Sequence, residues 1–472
     1  MVYVPVILNS DNRSLRGMAP IKLCNWYVEP ISQDNTKQAA AVLLPTPGLV
    51  SKLDLGATIQ GIWQEDGVRG GLMFAVAGSK LYSVSSAWAA TEIGNLDAGE
   101  AEFVGIRDVL FVAVNTRLWR WNGSALTEVT DVDLPDVGTM IAINQRLLLN
   151  SDDDDTLTWS NTLDGTAFEA LAFTTAEQSP DPIRRLMKLS GQAIAFGSTG
   201  IEILRAVPST SLPFQNVTNQ AIEETKGILG KYAAAKSGDK CFFIGGDMQC
   251  WAIYGMSVTP LTPNFELKEQ LTRMSEANRM ATRTWAYRDG PHDYFVVRPV
   301  GHPAHVYDGA TKLWHTRESY GLGYWAPKYH TNAYGYDVVA LEGGSEIYTL
   351  ERNVYSDDGE PVVRTATLRF NSMGREAIGS LCLDAATFDL PASGQGSAPQ
   401  LMISFSTDAR AVPGNNRNTL IVDMPPVGNY WKPTIWGLGQ MTPSEGMMAH
   451  VSVSDPLGVA IHGAWINEGQ VS

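Results

Sequence analysis

Residues 174–207 read TTAEQSPDPIRRLMKLSGQAIAFGSTGIEILRAV. Pro180 and Pro182 lie close together and forbid a regular helix or a central strand at that point. A short apolar piece follows (Ile183, Leu186, Met187). Two strand-like runs, Gln192–Phe196 and Ile201–Val207, then flank Gly197-Ser198-Thr199-Gly200. A short polar loop with a glycine at each end, set between such runs, predicts a β-hairpin.

The same plan recurs along the chain. Gly71–Val84 reads GLMFAVAGSKLYSV, Val109–Trp121 VLFVAVNTRLWRW, and Arg146–Ser160 RLLLNSDDDDTLTWS. Lys240–Tyr254 reads KCFFIGGDMQCWAIY, Asp293–Tyr307 DYFVVRPVGHPAHVY, and Asp337–Leu350 DVVALEGGSEIYTL. With Gln192–Val207 that makes seven units, spaced on the order of 40 residues apart, the period of propeller blades. A lone hairpin is marginal in water, and four-stranded sheets packed around an axis bury what one hairpin cannot. Glu102–Arg107 and Met140–Asn144 are read as outer strands of such blades.

Composition agrees. The 472 residues include 44 Gly, 25 Pro, 13 Trp and 16 Tyr, with 44% apolar residues. Long helical periodicities are scarce, which favours many short strands with frequent turns. Residues 263–284, PNFELKEQLTRMSEANRMATRT, break the pattern. Leu267, Leu271, Met274 and Met280 have roughly helical spacing and predict one amphipathic helix inserted between blades, with Asn264 as N-cap. Residues 1–60 are irregular, with strands expected at Lys22–Glu29 and Val42–Leu44 as candidates to close the ring. After the turn-rich SDDGEPVV at 356–363, strands are expected at Leu368–Asn371, Leu381–Leu390, Gln400–Ser406, Thr419–Asp423, Met448–Ser454 and Val459–Ile466. Leu401, Ile403 and Phe405 alternate with Met402, Ser404 and Ser406, the sign of a half-buried strand. The expected architecture is all-β: a β-propeller of seven blades at 61–355 followed by an antiparallel β-sandwich at 361–472.

Charge narrows the function classes. There are 35 basic and 50 acidic side chains, a net charge of −15, and Arg184-Arg185 is the only basic doublet. A protein that grips nucleic acid displays a basic stripe, so tight binding to DNA or an anionic membrane is not expected. An acidic surface suits a passage through which DNA slides, and solubility accounts for it equally. No apolar run of membrane-spanning length occurs, and the N-terminus does not read as a signal peptide. Cys24, Cys241, Cys250 and Cys382 form no CxxC pair. Cys241 and Cys250 could face each other across a hairpin, or all four could be reduced and buried.

Motifs for chemistry are sparse. Gly227-Ile228-Leu229-Gly230-Lys231 has the wrong spacing for a phosphate-cradling loop, and neither GxSxG nor HExxH occurs. The Asp152–Asp155 run could hold a hard cation, but lacks the glycine and distal Glu of a calcium loop. His302, His305 and His315 could in principle ligate zinc and are read instead as loop histidines. Glu177, Asp181 and Glu202 could pair as glycosidase carboxylates, with an ordinary strand role as the alternative for Glu202. No catalytic, cofactor-binding or metal residue is assigned.

AEQSPDPI followed by IAFGSTGIEIL resembles a segment of the packaged-DNA stabilisation family of short-tailed, Salmonella-type phages, also called tail hub, nozzle or tail accessory factor. Ala176, Glu177, Pro180, Asp181, Gly197, Ser198, Ile201 and Glu202 fill the family's A-E-x-x-P-D turn and G-S-x-x-I-E hairpin. Asn25–Pro30, Thr46–Leu49, Gly78–Tyr82, Ser406-Thr407-Asp408 and the strand pair within Val451–Ile466 look similar and fall in the same order. The segments 263–284 and 411–447 depart from the family. The resemblance implies a propeller and a small β-domain, with six copies ringed around a channel below the portal and its adaptor. It implies retention of packaged DNA, conduction of that DNA without specific binding, and docking of tail needle and tailspikes. It implies a virion protein made in the host cytoplasm, with no catalysis and no cofactor. Two rival readings are a propeller glycosidase acting on surface polysaccharide and a stand-alone propeller scaffold.

Overall fold

Each of the seven expected hairpins forms the middle pair of four consecutive antiparallel strands: five blades are separate four-stranded sheets, and those of blades VI and VII belong to larger nine- and six-stranded sheets. This is seen in a computed structural model that describes residues 2–5, 21–31, 41–151, 154–175, 181–209, 212–218, 222, 227–370, 377–406, 419–426, 432–440 and 447–466. Blade I comprises Ile59–Trp63, Met73–Ala77, Lys80–Val84 and Ala90–Asn95; blade II comprises Ala101–Ile106, Val109–Val114, Arg117–Trp121 and Leu126–Glu128. Blade III runs from Val137–Ile143 to Asp164–Thr175, blade IV from Ile183–Leu189 to Phe214–Asn216, and blade V from Ala234–Ser237 to Ser257–Pro260. Blade VI runs from Arg283–Asp289 to Leu313–Arg317. Blade VII has Pro327–Ala333, Tyr336–Leu341 and Glu346–Glu351, and takes its fourth strand, Gly48–Asp54, from the other end of the chain.

That borrowed strand closes the ring. Thr349 pairs with Val50 and Leu350 with Leu49, antiparallel. The first strand of each blade touches the first strand of the next, and blade VII touches blade I. The ring is therefore closed, as the seven repeats predict. Its closing strand is Gly48–Asp54, and the strands expected near 22–29 and 42–44 pair elsewhere. Glu102–Arg107 and Met140–Asn144 also change place: they fall in the innermost strands of blades II and III, facing the axis.

The core sits between blades, because each sheet is apolar on both faces. Phe74, Val76 and Leu81 of blade I pack with Leu110, Val112 and Val114 of blade II. Phe196 of blade IV meets Phe243 of blade V at a ring distance of 5.2 Å, and Phe242 stacks on Phe295 of blade VI at 5.2 Å. Leu49 of the closing strand packs with Trp285, Val296 and Val339, tying blades VI and VII. Tight turns require left-handed backbone at Ser190-Gly191 and Asn144-Gln145, both residues of each pair having positive φ. These two-residue turns match the twist of the strands they join.

The insert between blades V and VI is two helices rather than one. The first is Phe265–Arg273, with the Asn264 side chain accepting from the Leu267 N–H as its N-cap. Ser275 caps the second, Glu276–Met280. The chain breaks at Met274, whose extended backbone ends the first helix.

The second body is an antiparallel sandwich. One sheet holds Val2–Pro5, Trp26–Pro30, Ala41–Pro45, Ala377–Phe388, Thr434–Gln440 and Gly458–Ile466. The other holds Leu23–Cys24, Arg364–Phe370, Gln400–Ser406, Thr419–Asp423 and Met447–Val453. Trp26, Leu43, Leu368, Leu383, Ile403, Val451 and Ile461 fill the space between them. Leu401, Ile403 and Phe405 are buried while Met402 is exposed, as the alternation predicts. The sandwich thus draws strands from both ends of the chain. Its second sheet is continuous with blade VI, because Cys24 pairs with Thr316 in parallel and with Thr365 antiparallel. A single nine-stranded sheet spans the two bodies.

Candidate functional site

Two features of this fold are candidate functional sites: the axial cavity of the propeller and the joint to the sandwich. The cavity, of about 400 Å³, is lined by residues from all seven blades. Its charged walls carry Glu65, Glu100 and Glu102 against Arg185, Lys188, Lys236, Arg283 and Lys328. At one end, Glu100 pairs with Arg283 and lies 2.7 Å from Lys328 Nζ. Arg283 also stacks on Tyr232, 3.8 Å from the ring centre, and Arg185 pairs with Glu102. Burial pushes the Glu100 carboxyl up, but Arg283 and Lys328 outweigh it and hold the group down to about 2. These acids begin the inner strand of blade II, so a polar strand start here faces an aqueous axis rather than bulk solvent.

The joint is built around Asn25. It is buried, with φ of 56°. Its Nδ2 donates to the Glu318 carbonyl at 3.0 Å and the Val363 carbonyl at 2.9 Å, and its Oδ1 accepts from the Glu318 N–H at 3.1 Å. One side chain therefore ties the end of blade VI to the start of the sandwich. Beside it, His292 of blade VI sits between Asp308 Oδ2 at 2.7 Å and Glu29 Oε2 at 2.8 Å. Hydrogen bonding to Asp308 and then Glu29 raises the imidazole above its usual value, against the effect of burial. Buried Arg317 donates to the Pro47 carbonyl at 2.6 Å and lies 3.8 Å from the Trp325 ring.

The residues weighed for chemistry fall apart in space. His305 and His315 lie on strands, not in loops, and both are buried. In the register His305 faces Thr316 and His315 faces Val306, which sends the two rings to opposite sides of the blade. Asn264 Nδ2 lies 3.1 Å from His305 Nδ1, and Gln270 Oε1 lies 2.9 Å from Nε2. The ring thereby pins the helical insert, and burial holds it neutral, down to about 3. Among the described residues no three His, Cys, Asp or Glu groups converge as a metal site. Asp181 accepts from Ser198 Oγ at 2.9 Å and from the Thr199 N–H at 2.6 Å, within its own blade. Glu202 is buried and accepts from Asn216 Nδ2 at 3.0 Å. Glu177, Asp152 and Asp153 lie outside the described residues, and Asp154 accepts from Asp155 and Thr156. Cys241 faces Ile253 and Cys250 faces Ile244, so these two do not meet across their hairpin; all four cysteines are free and buried.

The sequence model of the family described as "Bacteriophage P22 Gp10, beta-propeller" matches residues 28–312. This chain belongs to that family. The match begins inside the sandwich strand Trp26–Pro30, includes the closing strand, and runs to the third strand of blade VI. Membership makes the protein a phage tail structural protein and a virion component. Among solved structures, BamB from Moraxella catarrhalis is 11% identical with a TM-score of 0.41, covering 70% of this chain and 97% of its own. A structure titled "YCF48 bound to D1 peptide" is 11% identical with a TM-score of 0.40, covering 69% and 97%. No curated protein matches the chain. Sequence reasoning overlooked Asn25 as a joint residue and the inner strands as cavity walls. The signal available for the first was an asparagine next to a strand, a residue that tolerates left-handed backbone.

Proposed function

We propose that this protein is the tail hub of a short-tailed phage. Several copies, six by the family resemblance, form a ring below the portal and its adaptor. The ring retains packaged DNA, conducts it during ejection, and docks the tail needle and tailspikes without catalysing a reaction. The observation that carries this reading is the family match together with the continuous sheet from blade VI into the sandwich. A part held against packaged genome needs two bodies that do not hinge, and main-chain pairing across the junction resists hinging better than a flexible linker.

The axial cavity bears on where the genome runs. A duplex whose major groove alone is ~12 Å wide does not thread a hole of about 400 Å³ crossed by ion-paired side chains. In this reading the bore lies between copies, and each propeller is a solid wall element. The net charge of −15 favours a wall that repels phosphate across the Debye length of ~8–10 Å.

The test is imaging of the purified protein with and without its portal–adaptor complex. A closed ring with the propeller axes off the central bore is the expected result. A protein that stays monomeric in both conditions would overturn the reading.

A further inference from the structure

The seven inner strands run the same way along the propeller axis, so positions along them map to depth in the cavity. At the end where these strands begin, the charges are matched: Glu100 and Glu102 take up Arg283, Lys328 and Arg185. At the end where they finish, they are not. Lys188 precedes the last residue of its blade IV strand, and Lys236 precedes the last residue of its blade V strand. Both line the cavity, and neither forms an ion pair among the described residues. Glu65, two residues past the inner strand of blade I, interacts electrostatically with both.

We propose that this end of the axial cavity binds a small polyvalent oxyanion, of the phosphate or polycarboxylate class, held between Lys188 and Lys236. Three observations converge on it. The cavity walls carry five Lys or Arg and three Glu, so they are net positive inside a chain of net charge −15. The surplus is concentrated on neighbouring strands of blades IV and V, which touch each other. Low-dielectric walls, here including Trp63, Ile62 and Met187, focus such a field, and the exposed Lys188 and Lys236 side chains are open to a ligand entering from solvent. Burial holds the Glu65 carboxyl above its usual range against the pull of both lysines, and no side-chain hydrogen bond or ion pair joins it to either among the described residues. A volume of about 400 Å³ admits a compact anion with its water, and excludes a nucleic-acid strand. The site is independent of the tail-hub reading.

The test is calorimetric titration of the full chain, at low salt in a buffer free of oxyanions, with phosphate and with citrate in separate arms and chloride as the monovalent control. The expected result is saturable one-to-one binding of phosphate, citrate or both, weakened by added salt. Lys188→Met combined with Lys236→Met should weaken that binding at least tenfold. Lys268→Met combined with Lys312→Met, which removes two lysines away from the cavity, should leave it unchanged. Glu65→Gln should tighten binding by removing a competing carboxyl, and it decides the matter if the double cavity variant does not fold. Failure of both phosphate and citrate to bind would overturn the proposal. So would undiminished binding by a folded Lys188/Lys236 variant, or an unaltered affinity in Glu65→Gln.

Discussion

Glu29 and His292 are 263 positions apart in the chain, yet Glu29 Oε2 lies 2.8 Å from His292 Nε2. Glu29 belongs to the sandwich and His292 to blade VI, so one hydrogen bond crosses the joint. Asp308 holds the other ring nitrogen at 2.7 Å. An imidazole between two carboxylates is stabilised in its protonated form, which can donate to both at once.

This relationship sets a pH dependence. The folded-state value of His292 lies above its ordinary 6.5. Its contribution is therefore fully present below about pH 6.5 and is lost as pH rises through the raised folded value. Tyr27 and Tyr294 pack against the same ring, Asp289, which pairs with Arg352, is its cross-strand neighbour, and His315 interacts with it electrostatically. His292→Gln should cost about 3 kcal/mol near pH 6, as loss of a buried charged partner does, and less at pH 9. Thermal melts of both proteins across that range check it: the gap between their midpoints should close as pH rises.

Asn25 predicts a two-step mutant series. Asn25→Ala removes three hydrogen bonds and places a Cβ residue without a compensating side chain at φ of 56°. Asn25→Gly removes the same bonds but tolerates the backbone. Both should destabilise the joint, with Ala worse than Gly by about 1 kcal/mol. Hydrogen exchange should show faster opening at 316–319 and 363–366 than in blades II and III.

Glu100 predicts an acid-side loss. Its carboxyl is held at about 2, against an ordinary value of 4.5. The stabilisation is present above about pH 4.5 and is lost as pH falls towards 2. With the side chain 31% exposed, the full effect is about 2–3 kcal/mol. Glu100→Gln should flatten the fall in melting temperature between pH 5 and pH 3 relative to the unaltered protein.

The ring closure predicts an intolerant glycine. A Cβ on Gly48 would collide with the Ser356 carbonyl oxygen and lie 2.6 Å from that of Val354. Both are backbone atoms, so they cannot swing aside. Gly48→Ala should cost about 1–3 kcal/mol by overpacking. It should do so by loosening the closing strand, read as protease cleavage within 48–54 or 346–351 at concentrations that leave the unaltered ring intact.

The seven hairpins were legible because each is a local event: an apolar run, a polar turn and a second apolar run within about fifteen residues. The N-cap at Asn264 was legible for the same reason. The break at Met274 was not, because the spacing of Leu267, Leu271, Met274 and Met280 suits one helix, and Ser275 reads as a start only once the chain bends. His302, His305 and His315 resembled loop residues beside Pro303 and Gly301. The two that are buried lie there because their blade is covered on both faces, one of them by the helical insert.

What the amino-acid order determined by itself was the repeat: seven β-hairpins, their turns, and the alternation that makes strands such as Gln400–Ser406 half-buried. These depend on neighbours a few residues away, whose contacts any chain of this sequence would make. What only the tertiary structure decided was closure, junction and interior charge. Gly48–Asp54 closes the ring, Leu23–Cys24 welds blade VI to the sandwich, and the cavity brings Glu100 and Glu102 against Arg185, Arg283 and Lys328 at one end and leaves Lys188 and Lys236 at the other. Each of those pairings joins residues far apart in the chain, and a charged side chain at a strand end looks the same in sequence whether it faces the outer surface or the axial cavity.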